Sequence, residues 1–95
     1  MRRMAYKDTT DSDLMLLVGS SLHIARKQAG LTRADLASQL GISPKHVQRC
    51  EVIGVERLSL VAAWCQACGV DATRLIGDAL ERVTQLSDGA GVARG

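Results

Sequence analysis

Between Leu14 and Leu86 the apolar residues recur at every third or fourth position, in runs that are cut at Gly30, Gly41, Gly54 and Gly69. A period near 3.6 belongs to helices that bury one stripe, and a glycine is the usual residue just past a helix end. The runs between the cuts are short, so the chain must fold as several small amphipathic helices packed side by side. No stretch alternates apolar and polar residues as a half-buried strand does. The expected class is all-α, with five helices.

The spans are about 11–29, 32–40, 43–52, 57–68 and 71–86. Thr10 or Asp11 can cap the first helix, Thr32 the second, Ser43 the third and Asp71 the fifth. The chain's single proline, Pro44, falls at the first helical position after Ser43, where a missing N–H costs nothing. The inward stripes read Leu14, Leu17, Val18, Leu22, Ala25; then Leu36, Ala37, Leu40; then Val47 and Cys50. On the fourth helix they read Leu58, Val61, Ala62, Cys65, Cys68, and on the fifth Leu75, Ile76, Ala79, Leu80, Val83, Leu86. Residues 1–10 carry no pattern and are expected as a flexible arm, and 87–95 as a disordered tail.

With 95 residues, 46% of them hydrophobic, the chain suits one small domain; having no Phe and one Trp, it needs an aliphatic core. Trp64 is expected in that core or at a dimer contact. The basic start "MRRMAYKDTTDSD" has no apolar signal core after it, and "LMLLVG" is too short to cross a bilayer. The three cysteines, Cys50, Cys65 and Cys68, are an odd set and no secreted disulfide framework. These features place the protein in the reducing cytoplasm. Cys65-Gln66-Ala67-Cys68 matches C-x-x-C, a metal or redox pattern. Both sulfurs fall on the inward stripe with no second pair and no clustered histidine, which favours core packing, with no metal and no cofactor. His23 reads as a surface residue. The acids are scattered, no glycine-rich phosphate loop occurs, and no Ser or Cys has an evident base, so an enzyme is not expected.

Charge is more telling locally than globally. The net charge is +2, yet residues 26–49 contain Arg26, Lys27, Arg33, Lys45 and Arg49 against Asp35 alone. Such a patch attracts phosphates. Presenting one helix to a DNA groove also makes steric demands. The turn before it needs a residue tolerant of positive φ, and Gly41 fits. The helix crossing needs a small residue, Ala37, and the presented helix an apolar anchor, Val47. Its outer face needs donors, because phosphates and most purine major-groove atoms accept hydrogen bonds; Lys45, His46, Gln48 and Arg49 supply them. Counted from Arg33, Ala37, Gly41 and Val47 occupy the fifth, ninth and fifteenth positions, the helix-turn-helix spacing.

The stretch "IARKQAGLTRADLASQLGISPKHVQRCE" resembles the Cro/cI-type (XRE-like) DNA-binding domains of phage and bacterial repressors. Their pattern runs G-L-(S/T)-Q-x-x-L-A-x-x-L-G-(V/I)-S-x-x-x-(V/I)-x-x-x-E. The later "LSLVAAWCQACGVDATRL" is similar to their fourth helix and the break after it. The resemblance spans about residues 14 to 78 and implies a five-helix, lambda-repressor-like fold with its third helix reading DNA. It places Arg33, Thr32 and Ser43 on DNA phosphates. Bases fall to Pro44, Lys45 and Arg49, with Lys45 and Arg49 the principal readers and His46 and Gln48 secondary. It also implies an Arg26–Glu51 bridge between the first and third helices. Four departures stand out: Arg33 replaces a frequent Gln, Pro44 replaces a frequent polar residue, Ile53 occupies a frequent glycine position with Gly54 one place later, and Glu56 and Arg57 replace the usual Pro-Ser before the fourth helix.

The expected function is therefore a transcription regulator, a repressor, binding palindromic double-stranded DNA as a homodimer. Leu80, Val83 and Leu86 are the expected dimer contacts. Arg2 and Arg3 read as a solubilising terminus or as a minor-groove arm. One alternative is a protein-interaction module that keeps the fold, such as an antitoxin or a phage adaptor, with a protein partner in place of DNA. Another is a regulator gated by thiol oxidation or metal at Cys65 and Cys68.

Overall fold

The computed structural model describes the backbone of residues 11–92 and the side chains of residues 13–85. The expected arm with Arg2 and Arg3, the side chain of Leu86 and residues 93–95 lie outside the described residues. Five helices follow one another: α1 Asp11–Gln28, α2 Arg33–Leu40, α3 Pro44–Ile53, α4 Leu58–Cys68 and α5 Ala72–Val92. Helix α1 packs on α3, α4 and α5, while α2 packs on α3 and α4.

Three of the helix ends use one device. After α1, α2 and α4 a left-handed glycine turns the chain, and the next amide reaches back five residues: Leu31 to the Arg26 carbonyl, Ile42 to Ala37 and Val70 to Cys65. These bonds satisfy carbonyls that the helix leaves open. Leu31, Ile42 and Val70 then fold against the core, so each stop also buries an apolar side chain. The starts are equally local. Thr32 and Asp35 form a reciprocal capping box, and Ser43 Oγ accepts from the His46 amide at 3.0 Å just ahead of Pro44. Asp71 Oδ1 accepts from the Thr73 amide at the start of α5.

The core comprises Val18, Leu22, Leu36, Ala37, Val47, Val55, Val61, Trp64, Cys65 and Ala79, with Cys50 beneath α3. Trp64 is fully buried, and its indole N–H donates to the Leu22 carbonyl at 3.1 Å. Among the described residues no buried side-chain nitrogen or oxygen lacks a partner.

Helix α4 is turned relative to the stripe expected from its sequence. Val61, Trp64 and Cys65 face inward, whereas Leu58 is 71% exposed and Ala62 lies in solvent. The indole decides the phase: it is the largest side chain of α4, and burying it in place of Leu58 removes more apolar surface from water. Cys68 is half-buried. Helix α5 continues past Leu86 to Val92, where the sequence pattern suggested a tail. No proline interrupts this stretch, and each added residue of a formed helix gains a hydrogen bond.

Candidate nucleic-acid interface

Helices α2 and α3 are joined by Gly41, Ile42 and Ser43. Gly41 sits at φ 71°, and open space surrounds the place of a Cβ there, so backbone conformation alone selects the glycine. Leu36 and Ala37 of α2 are buried, as are Val47 and Cys50 of α3. These four residues fix which side of α3 faces outward. Pro44, Lys45, His46, Gln48 and Arg49 are all exposed. Ser43, Lys45, His46, Gln48, Arg49 and Val52 line one shallow surface concavity along α3.

Behind this surface lies an ion cluster centred on Glu51, whose side chain is only 2% exposed. Arg26 of α1 donates from Nε to Glu51 Oε2 at 2.6 Å and from Nη1 to the Leu31 carbonyl at 2.7 Å. Arg33, the first residue of α2, donates from Nε to Glu51 Oε1 at 3.1 Å. His23 lies with Nδ1 3.1 Å from the same oxygen. One carboxylate thus joins α1, α2 and α3. Burial pushes its pKa up, but the hydrogen bonds from Arg26, His23 and Arg33 and the Arg26 charge outweigh that and hold it below the usual glutamate range. Arg26, 5% exposed, is the buried charge that this carboxylate balances.

The structure brings Arg26 and Glu51 together, and it adds two residues to them. His23, read from the sequence as a surface residue, is half-buried and belongs to the cluster. Arg33, expected on a DNA phosphate, is anchored through Nε and still 40% exposed, so its position is set from within the protein. No sequence spacing announces that His23 and Arg33 share one carboxylate. The three-residue step from His23 to Arg26, one helix turn, was the only available hint.

Thr32 Oγ1 accepts from the Asp35 amide at 3.0 Å, and the Thr32 amide donates to Asp35 Oδ2 at 3.0 Å. The hydrogen bonds from the Thr32 backbone and hydroxyl hold the Asp35 carboxyl below its ordinary range. The cap hydroxyls at Thr32 and Ser43 each accept from a backbone amide, and that of Ser43 still holds a proton to donate outward. Of the expected dimer contacts, Leu80 is 47% exposed, whereas Val83 is buried by the chain's own fold. The three cysteines are free thiols whose pKa values are raised, by burial first of all. Among the described residues no three His, Cys, Asp or Glu are grouped as metal ligands, and no helix is long and apolar enough to cross a membrane.

A family model described as a helix-turn-helix domain matches residues 17–75, more than half of the chain. The chain belongs to this family. The helix-turn-helix match begins within α1 and ends early in α5, so it contains the Glu51 cluster and the whole outward face of α3. Two solved structures of the clp gene regulator ClgR from Corynebacterium glutamicum share the fold. One has a TM-score of 0.68 at 23% identity, covering 85% of this chain and 87% of that one. The other has a TM-score of 0.65 at 24% identity, covering 74% and 91%. No curated protein matches the sequence.

Proposed function

We propose that this helix-turn-helix protein is a sequence-specific DNA-binding transcription regulator that inserts α3 into the major groove. One observation carries the reading: Lys45, His46, Gln48 and Arg49 all point outward from a helix whose opposite side is anchored by Val47 and Cys50. Lys45 and Arg49 meet guanine O6 and N7, with His46 and Gln48 as further donors and Pro44 an apolar neighbour. Arg33, Thr32 and Ser43 hold the backbone phosphates on either side of the turn.

A single such helix reads few base pairs, so useful specificity requires two copies on a palindromic site, with half-sites about 34 Å apart. Leu80 is the exposed apolar residue on α5 from which a homodimer contact is built, continued toward Leu86. The protein acts in the cytoplasm as a repressor, by occupying the DNA it binds, and performs no catalysis.

The deciding experiment is selection from a random duplex pool at fixed salt, followed by affinity measured across salt concentrations. The expected result is an enriched palindrome whose binding weakens steeply as salt rises, with a slope of about −0.9 per phosphate contacted. An unenriched pool with no salt-sensitive binding would overturn the reading and favour a protein-interaction module.

A further inference from the structure

Helix α3 carries an apolar side chain where its donors converge. Successive residues are about 100° apart around a helix, so Lys45, Gln48, Arg49 and Val52 fall within an arc of about 100°, with Val52 about 20° from Lys45. Val52 lies almost opposite the buried Val47 and is 63% exposed. It lines the same concavity as Lys45, Gln48 and Arg49. Valine gains nothing at such a place within the chain itself: it is a mediocre helix former, and most of its surface stays in water.

We propose that Val52 reads the C5-methyl group of a thymine in the major groove, as a further specificity-determining residue on the face that carries Lys45 and Arg49. This rests on the DNA-binding function proposed above. The charge around the patch selects the partner, since Lys45 and Arg49 border it and favour a polyanion over an apolar protein surface. Within a polyanionic duplex the thymine methyl is the apolar group that the major groove presents to side chains. The spacing adds a positional claim. Val52 is two helical turns beyond Lys45, about 10.5 Å along the helix axis, so the base it meets is not the one that Lys45 contacts. Each half-site therefore contains a thymine apart from the guanine contacted by Lys45.

The test uses the full chain and the site recovered by selection, with each thymine replaced singly by deoxyuridine, which lacks only the methyl. One thymine per half-site is expected to show about a fourfold loss of affinity, the worth of one buried methyl. Val52→Ala should bind the thymine and uracil forms of that site equally, while Arg49→Ala keeps the discrimination. Val52 is exposed and alanine favours helix, so the variant keeps its fold. The proposal is overturned if the selected site lacks such a thymine, if no replacement matters, or if Val52→Ala keeps the same penalty. It is equally overturned if Val52→Ala alters the oligomeric state and leaves DNA affinity intact. Sound salt-sensitive DNA binding with any of these results removes only the methyl contact, whereas loss of all DNA binding in the wild type removes the proposed function as well.

Discussion

Gly19 of α1 and Gly54 after α3 touch backbone to backbone: a Cβ built on Gly19 would stand 3.0 Å from the Gly54 Cα and 2.6 Å from the Cys50 carbonyl oxygen. Gly54 adopts φ 111°, and a Cβ there would run into the Met15 carbonyl. The two glycines let α1 lie directly against the end of α3, which sets the height of α3 above the core. They also explain the displaced glycine of this sequence: the close approach needs it at Gly54, leaving Ile53 as the last residue of α3.

Gly19→Ala and Gly54→Ala should each destabilise the fold by about 1–3 kcal/mol, because a methyl group must be forced between two backbones. Gly77→Ala is the control. Gly77 lies in α5 with nothing within reach of a new Cβ, so the substitution should stabilise by about 1 kcal/mol. Urea titrations of the three variants would check both signs.

Removing the Glu51 carboxylate by Glu51→Ala leaves Arg26 buried without its counter-charge, and stability should fall by about 3–5 kcal/mol. The depressed pKa of Glu51 sets a pH window as well. Its contribution is complete above the unfolded value of 4.5 and disappears as the pH falls through the lower folded value. Wild-type protein should therefore lose stability as the pH falls from 4.5 through that lower value. Glu51→Gln should lose less over the same range, which thermal melts at stepped pH would show.

Lys45→Ala and Arg49→Ala should each weaken binding to the selected DNA by about 1–3 kcal/mol and relax the base preference at one position, with unfolding midpoints nearly unchanged. Arg33→Ala should behave differently. It should weaken binding to all sequences alike, reduce the salt slope by about 1, and lower stability through its lost contact with Glu51. Affinity and melting temperature measured on the same preparations separate the two kinds of residue.

Trp64 is the only tryptophan and is fully buried, so its emission should be blue-shifted in the native protein and move to the red on unfolding. Trp64→Phe removes the hydrogen bond to the Leu22 carbonyl and leaves a small void, at a cost of about 1–3 kcal/mol by chemical denaturation. The thiols should be sluggish in the native state because burial raises their pKa values. Half-buried Cys68 should react first with an aromatic disulfide reagent, and all three thiols should react rapidly in urea.

The legible parts of the sequence were those with a local cause. Capping at Thr32 and Ser43, the proline at the start of α3 and the left-handed turn at Gly41 each depend on residues within one helix turn, and the structure has them where the spacing placed them. The outward face of α3 was equally readable, since burying Val47 and Cys50 leaves Lys45, His46, Gln48 and Arg49 no other direction. The rotation of α4 was not readable. Its apolar residues fit two stripes, and the choice between Leu58 and Trp64 depends on the space that α1 leaves beside Leu22.

By itself, then, the chain determined where α2 and α3 begin and stop and which side of α3 is cationic, because caps, turns and periodic stripes act over three or four residues. The Arg26–Glu51 bridge was already implied by the family resemblance, but tertiary structure alone decided that His23 and Arg33 join the same carboxylate and that Gly19 must meet Gly54. Such relationships join residues far apart in sequence, and they arise only when burial of the core brings α1, α2 and α3 within hydrogen-bonding distance and the low-dielectric interior makes an unpaired charge or a misplaced methyl too costly to keep.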